Sequence, residues 1–344
     1  MFSFDKEDLR EKLKKLAEKS VLVVGDLAID EMIYGNTARM SREAPVLILR
    51  HYLTKVILGA ASNAANNIST LNSGKVSVIG VYGDDYYGPV LIEAFKKANI
   101  NTEYMVMDEK RVTTVKTRIS GSCSQSVTQQ IVRIDRETIE NVSPEIEAKI
   151  ISNIEKAVPL HDAVILSDYN IGLLTPAVIS KTIETAKKYN KIVVVDAQKD
   201  LDRYKGATAM TPNQPDTEKF VGYFIKDEVS LQKAGQDMLS KTGNQMVLIT
   251  RGGDGMVVFE RGGNISKVPV FNKTDVFDVT GAGDTVVASF TLALAAGLNP
   301  KEAAIVGNLA ASITIRHFGC ATTTIKELSD TLNKLDMDSF TVKA

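Results

Sequence analysis

The chain has 344 residues, 44% hydrophobic and 24% charged, with 41 Lys plus Arg against 42 Asp plus Glu and a formal net charge of −1. This is the balance of a globular protein with a large apolar core, and it provides no basic field for nucleic acid or an anionic membrane, so the expected partners are small molecules. Cys123 and Cys320 stand far apart, the three histidines are scattered, and no apolar run reaches the roughly 18 residues of a membrane span, which argues against a zinc cluster, a signal peptide and a transmembrane helix and points to a reducing, cytoplasmic setting.

Along the chain, Leu9, Leu13 and Leu16 recur at helical spacing and predict a short amphipathic helix. Ser20 to Gly25 is a continuous β-branched run, the pattern of a strand buried on both faces of a parallel sheet. Asp26 and Asp30 follow it. In an open α/β sheet ligands collect beyond the carboxyl ends of the strands, so both acids stand where a substrate would bind, although turn capping explains Asp26 equally well.

Two β-rich excursions, residues 34–58 and 104–135, interrupt the α/β pattern and predict a small sheet packed over the main one as a water-excluding lid. Within the second, alternation puts Lys116 and Arg118 on one face, with Arg133 on the next strand; basic residues on strands also serve as solvated edge protection. Between the excursions, Gly59 and a run of small residues including Asn63 open a helix. Strand and helix then alternate regularly, with helices expected at 143–157, 176–190 and 228–242. The glycine-rich turn Thr250-Arg251-Gly252-Gly253-Asp254-Gly255 leads into a hairpin, and two further helices follow the one that opens at Gly281.

The stretch that carries chemistry is Asp275 to Thr285, D-V-F-D-V-T-G-A-G-D-T. Gly281, Ala282 and Gly283 bring backbone N–H groups to the start of an apolar helix without side chains in the way, which makes an anion site. A carboxylate immediately after them, Asp284, would repel an anion if it were a ligand. It suits a base that takes a proton from an attacking hydroxyl while the amides stabilise a moving phosphoryl group. Close packing and a favourable charge–dipole contact are the plain alternative for such a motif. A dinucleotide fingerprint would need a third glycine where Val286 stands, and a G-x-x-x-x-G-K-[ST] phosphate loop is absent.

Taken together, D-V-T-G-A-G-D-T, V-V-G-D-L-A-I-D, G-A-A-S-N-A-A, T-R-G-G-D-G, S-R-E-A-P-V, Q-Q-I-V-R-I-D and V-I-L-S-D-Y resemble, in order and over essentially the whole length, the ribokinase-like, PfkB-type carbohydrate kinases. The resemblance is nearer still to the heptose 7-phosphate kinase half of bifunctional ADP-heptose synthases. It implies one α/β domain over 1–344: a ribokinase-like three-layer αβα sandwich with a mostly parallel central sheet and a small β-sheet lid. It also implies transfer of the γ-phosphoryl group of ATP, with Mg²⁺, to the anomeric hydroxyl of a heptose 7-phosphate. Asp284 is then the base over the Gly281, Ala282 and Gly283 amides. Asp26, Asp30, Gly59 and Asn63 hold sugar hydroxyls, and Lys116, Arg118 and Arg133 hold the phosphate already on the sugar. Thr250, Gly252, Gly255, Asn213 and Asn308 line the nucleotide, Asp216 serves the metal, and the lid pairs across a homodimer. A kinase for another sugar, or a non-catalytic sugar- or nucleotide-binding regulator of the same fold, are the alternatives.

The chain departs from the family pattern at defined positions. Asp216 replaces the Glu of Asn-x-x-Glu, pulling the carboxylate back by about 1.5 Å, one C–C bond length. Ala60 stands where the heptose kinases have a second glycine, Ile171 where they have a lysine, and Gln198 within their D-P-K-G.

Overall fold

A computed structural model describes residues 3–123, 126–272 and 275–336, so the expected span 1–344 runs beyond the described residues at both ends. The strands, in chain order, are β1 Val21–Gly25, β2 Leu27–Met40, β3 Leu47–Ala60, β4 Val76–Ile79, β5 Val81–Gly83, β6 Val106–Asp108 and β7 Val115–Cys123. They continue with β8 Ser126–Arg136, β9 Ala163–Asp168, β10 Ile192–Ala197, β11 Ala209–Met210, β12 Met246–Thr250, β13 Met256–Glu260 and β14 Ile265–Val268.

Eight of them form the central sheet in the order β14-β13-β12-β11-β10-β9-β1-β4. The six strands from β4 to β12 are parallel, and β13 and β14 close one edge as an antiparallel hairpin. Strand alternation divides the apolar residues between two cores. Val21, Val23, Ile165 and Val194 point to one face, and Leu22, Val24, Leu166 and Val195 to the other. Helices Lys6–Lys14, Ala61–Asn72, Ala282–Ala295, Pro300–Thr314 and Ile325–Lys334 cover the first face; Pro144–Ala157, Pro176–Lys188 and Glu228–Thr242 cover the second. This is the expected α/β three-layer sandwich with a mostly parallel sheet.

Local chemistry sets the helix starts where the sequence places them. Ser143 and Thr175 each accept the N–H of the third helical residue and are followed by a proline at the first helical position. Asn299 and Glu302 close a reciprocal capping box.

The lid is the separate four-stranded sheet β3-β2-β7-β8. It begins earlier than the 34–58 excursion suggests, because β2 starts at Leu27, directly after Asp26, and pairs through to Ala60. Its second pair begins at Val115, since residues 106–108 pair with β5 in a small sheet of their own. Asp30 therefore lies inside a lid strand rather than in a loop beyond the central sheet. Among the described residues no helix is long and apolar enough to cross a membrane.

Candidate active site

The helix Ala282–Ala295 is apolar almost all round and buried between the central sheet and the helices Ala61–Asn72 and Pro300–Thr314, which fixes its N-terminus as a rigid point. Gly281 precedes it at φ 77°, and a Cβ there would sit 2.5 Å from Nδ2 of Asn63. Only glycine meets both demands. The N–H of Ala282 turns back onto the carbonyl of Val279 at 3.1 Å. Among the described residues the N–H groups of Gly283 and Asp284 have no protein partner, so these two donors are the ones open to an anion.

Asp284 is 5% exposed, and both of its oxygens are held: Asn63 Nδ2 donates to Oδ2 at 2.7 Å and the Tyr169 hydroxyl to Oδ1 at 2.7 Å. Burial raises its pKa to about 6 against the pull of these two donors, with Asp30 pushing up and Lys116 pulling down. A carboxylate tuned into this range is ionised at neutral pH and still basic enough to accept a proton. Asn63 thus holds the Asp284 carboxylate in place. Asn67 and Thr285 extend the chain behind it, Thr285 Oγ1 donating to Asn67 and Asn67 to Asn63.

Two cavities flank the helix start. The first, of about 280 Å³, is lined by Thr250, Gly252, Gly255, Val279, Ala282, Gly283 and Asn308 among others, so residues expected at the nucleotide from scattered motifs share one wall. Gly255 takes φ 82°, and a Cβ would meet the Val268 carbonyl at 2.2 Å; this is the turn that brings the backbone up to the cavity. Asn308 braces that wall: its Nδ2 donates to the Pro269 carbonyl at 3.0 Å and its Oδ1 accepts the Phe271 N–H at 3.4 Å. Asn213 caps the helix Gln214–Val221 by accepting the Asp216 N–H, and Asp216 is half-buried with a pKa raised by burial. Asp196, at the end of β10, is pushed up to about 7 by burial and by the charges of Asp284, Asp216 and Asp168. The strand ends here carry more negative potential than they can hold comfortably. Among the described residues no three His, Cys, Asp or Glu side chains form a ready-made metal cluster.

The second cavity, of about 80 Å³, is lined by Asp30, Arg118, Gln130, Asp278, Phe318 and Cys320 among others. Arg118 Nη1 donates to Asp30 Oδ1 at 2.6 Å, with both side chains largely buried. Gly59 lies against the same carboxylate: a Cβ would approach Asp30 Cγ to 2.9 Å. The thiol of Cys320 is 3.7 Å from Asp30 Oδ2, and burial, with the charges of Asp30 and Asp284, raises its pKa so that it stays a neutral donor.

The remaining candidates lie elsewhere. Asp26 spends both oxygens on the N–H groups of Tyr169, Ile171 and Leu173, so it fastens a loop and does not line the second cavity. Arg133 is paired at 2.7 Å with Asp135 on its own strand. Lys116 stands over the ring of Tyr169, 5.1 Å from its centre, on the side of the tyrosine that holds Asp284 rather than in the second cavity. Tyr169, Cys320, Asp196 and Asp278 were not singled out by sequence; V-I-L-S-D-Y carried Tyr169 as a motif letter with no role attached.

Residues 18–327 match the pfkB family of carbohydrate kinases. The chain belongs to that family. Its relatives include the bifunctional protein HldE of Desulfatibacillum aliphaticivorans, 40% identical over 309 residues, 90% of this chain and 62% of the relative. The same protein of Trichlorobacter lovleyi is 38% identical over 338 residues, 97% of this chain and 67% of the relative. The chain thus spans about two thirds of the length of these bifunctional relatives. Among solved structures, Escherichia coli phosphofructokinase-2 in complex with substrates and products superposes with a TM-score of 0.74 at 17% identity, covering 92% of this chain and 99% of that one. Arabidopsis thaliana ribokinase complexed with ribose and ATP gives 0.69 at 17%, covering 91% and 98%. The chain is therefore a pfkB-family carbohydrate kinase with a ribokinase-like fold, carrying a buried carboxylate directly behind Gly283 in the wall of the first cavity.

Proposed function

We propose that this pfkB kinase transfers the γ-phosphoryl group of ATP to the anomeric hydroxyl of a heptose 7-phosphate, with Asp284 as general base. The observation that carries the reading is a buried carboxylate of raised pKa at a helix start, next to two open amides, with the first cavity lined by the adjacent Gly283 and the second by Thr280 four residues before it. ATP occupies the first cavity with its γ-phosphate toward Gly283 and Asp284. The acceptor lies in the second, a hydroxyl toward Asp284. Asp30 accepts from the sugar and Arg118 keeps it oriented; of the five N–H donors of that guanidinium the pairing with Asp30 uses one, leaving others for a phosphate. The excess negative potential around Asp196, Asp216 and Asp284 suits a divalent cation, and Asp216 would hold Mg²⁺ through water, as that ion prefers. When bound, Mg²⁺ neutralises charge on the phosphates.

A neutral sugar is the second reading. The charged residues lining the acceptor cavity are Asp30, Asp278 and Arg118, an acidic balance, and Arg133 is spent on Asp135. A coupled assay with ATP and a panel of heptose 7-phosphates, hexose phosphates and free sugars tests both. Highest kcat/KM on a heptose 7-phosphate supports the first; preference for a free sugar overturns it in favour of the second; no turnover on any sugar would return the chain to a binding role.

We also propose a cytoplasmic homodimer formed through the lid. Its support is the apolar surface of that sheet, where Tyr52 is 52% exposed, Ile131 46%, Val132 44% and Leu47 43%. Sedimentation of the protein and of an Ile131→Lys variant tests the pairing; a monomer in both would end it.

A further inference from the structure

The loop after β9 is fastened far more tightly than a surface connection requires. Asp26, buried beneath it, accepts the N–H of Tyr169 at 2.8 Å, of Ile171 at 3.2 Å and of Leu173 at 3.3 Å. From the other side the guanidinium of Arg111 donates to the Ile171 carbonyl and to those of Thr138 and Glu140. Gly172 turns at φ 90° with the Glu140 carbonyl 2.0 Å from where a Cβ would stand, and Asn170 takes φ 60°. What this fixed loop presents is one side chain, Tyr169. We infer that Tyr169 is a positioning residue for the phosphoryl-transfer base, acting through the hydrogen bond its hydroxyl donates to Oδ1 of Asp284.

The inference rests on Asp284 being the base. With Asn63 on Oδ2 and Tyr169 on Oδ1, the carboxylate has no rotational freedom, and one lone-pair direction on each oxygen remains for an incoming hydroxyl. The phenol keeps its proton: burial and the Asp284 charge hold its pKa well above the ordinary tyrosine range, so it acts as a donor throughout. Donation favours the ionised carboxylate over the neutral acid. Tyr169 thus trades some base strength for a larger ionised fraction near neutral pH, useful for a group that burial has pushed up to about 6. The other groups bearing on Asp284 come from every neighbouring element: Asp30 from β2, Lys116 from β7, Asp196 from β10 and Cys320 from the segment after Pro300–Thr314. Lys116 also lies over the tyrosine ring, so the two act on the same carboxylate from one side.

Tyr169→Phe removes the hydroxyl alone, leaving the backbone bonds to Asp26 and Arg111 in place. The expected result is a kcat about twofold lower at pH 7, the fall in ionised fraction when a pKa of about 6 rises by about one unit, growing towards about tenfold at pH 5. The acid limb of the kcat profile should move up by about one pH unit, with KM for ATP and for the sugar within twofold. The Asp284 carboxyl, followed by ¹³C NMR and assigned with Asp284→Asn, should titrate higher by the same amount. An unchanged carboxyl titration would overturn the positioning role. A carboxyl that moves while the kcat profile stays put would instead show that Asp284 is not the base, separating failure of the inference from failure of the reading beneath it.

Discussion

The two cavities near the start of the helix Ala282–Ala295 are built in different ways. The cavity proposed for the nucleotide combines glycine-rich backbone, from the 250–255 turn and the start of the helix Ala282–Ala295, with apolar side chains such as Met256, Val270, Val279 and Ile315. The cavity proposed for the acceptor is a set of individual side chains drawn from β2, β7, β8, residues 278–280 and residues 318–320, with Arg118 and Asp30 paired among them. A nucleotide shared by a whole family needs the first kind of wall. A sugar that distinguishes one member from another needs the second, because side chains can be exchanged without moving the chain.

The comparison breaks first at the group both sides share. Asp284→Asn should lower kcat by about 10²–10⁴ while leaving KM for ATP and sugar within a few fold, since only the proton acceptor is lost. Steady-state kinetics with both substrates check it; a large rise in either KM would assign Asp284 to one side only. Next in size is the replacement of Arg118 by Ala. It strands the buried Asp30 carboxylate next to Asp278, so kcat/KM should fall by about 3 kcal/mol, near a hundredfold, for neutral and phosphorylated sugars alike, with ATP unaffected. A phosphorylated sugar should lose about a further tenfold if Arg118 also grips its phosphate. Equal losses for both classes would leave Arg118 as the partner of Asp30 alone.

Gly255→Ala attacks the other wall. The left-handed φ of 82° and the Val268 carbonyl 2.2 Å from a new Cβ force the turn to shift, at about 1–3 kcal/mol, so KM for ATP should rise about tenfold while the sugar KM stays put. Coupled effects on both substrates would show that the walls are mechanically one unit. The pH dependence has a definite sign: the ionised base is needed, so kcat falls as pH drops through about 6, up to about tenfold per unit below it. Asp196, raised to about 7, titrates in the same range and the limb belongs to both groups. A flat profile from pH 8 to 5 would contradict a carboxylate base.

These contrasts also explain what the sequence could reveal. The sandwich was legible because parallel strands read as apolar runs and helix starts carry their caps, as at Ser143, Thr175 and Asn299. The 250–255 turn and the helix start at Gly281 were legible for the same reason: each is one contiguous glycine-rich motif, and both come to line the first cavity. The acceptor wall was not. Asp26 and Asp30 differ by four residues yet part company, one buried under the loop after β9 and the other in a lid strand, because β2 begins between them. Asn63, expected on the sugar, donates to Asp284, a partner 221 residues away that local sequence could not reveal. Tyr169 appears in the sequence only as a letter of V-I-L-S-D-Y and Cys320 carries no local signal; the roles of both come from tertiary contacts with Asp284 and Asp30.

The smallest predicted effect concerns one of the departures from the family pattern. Ala60 adopts φ 50° and ψ −136° at the start of the helix Ala61–Asn72, a conformation that a Cβ disfavours and glycine takes freely. Its neighbours hold it there: Gly59 must stay close to Asp30, and the Ala61 N–H is committed to the Asp26 carbonyl at 3.1 Å, so the backbone cannot relax without moving one acid or the other. Such strain costs about 1–3 kcal/mol, and glycine gives back part of that gain through its larger unfolded-state entropy. Ala60→Gly should therefore raise stability by about 1 kcal/mol in urea denaturation, with kcat and both KM values unchanged. A loss of stability would mean the Ala60 methyl contributes more by packing than its backbone costs. A changed sugar KM with unchanged ATP KM would show that this strained position belongs to the acceptor wall.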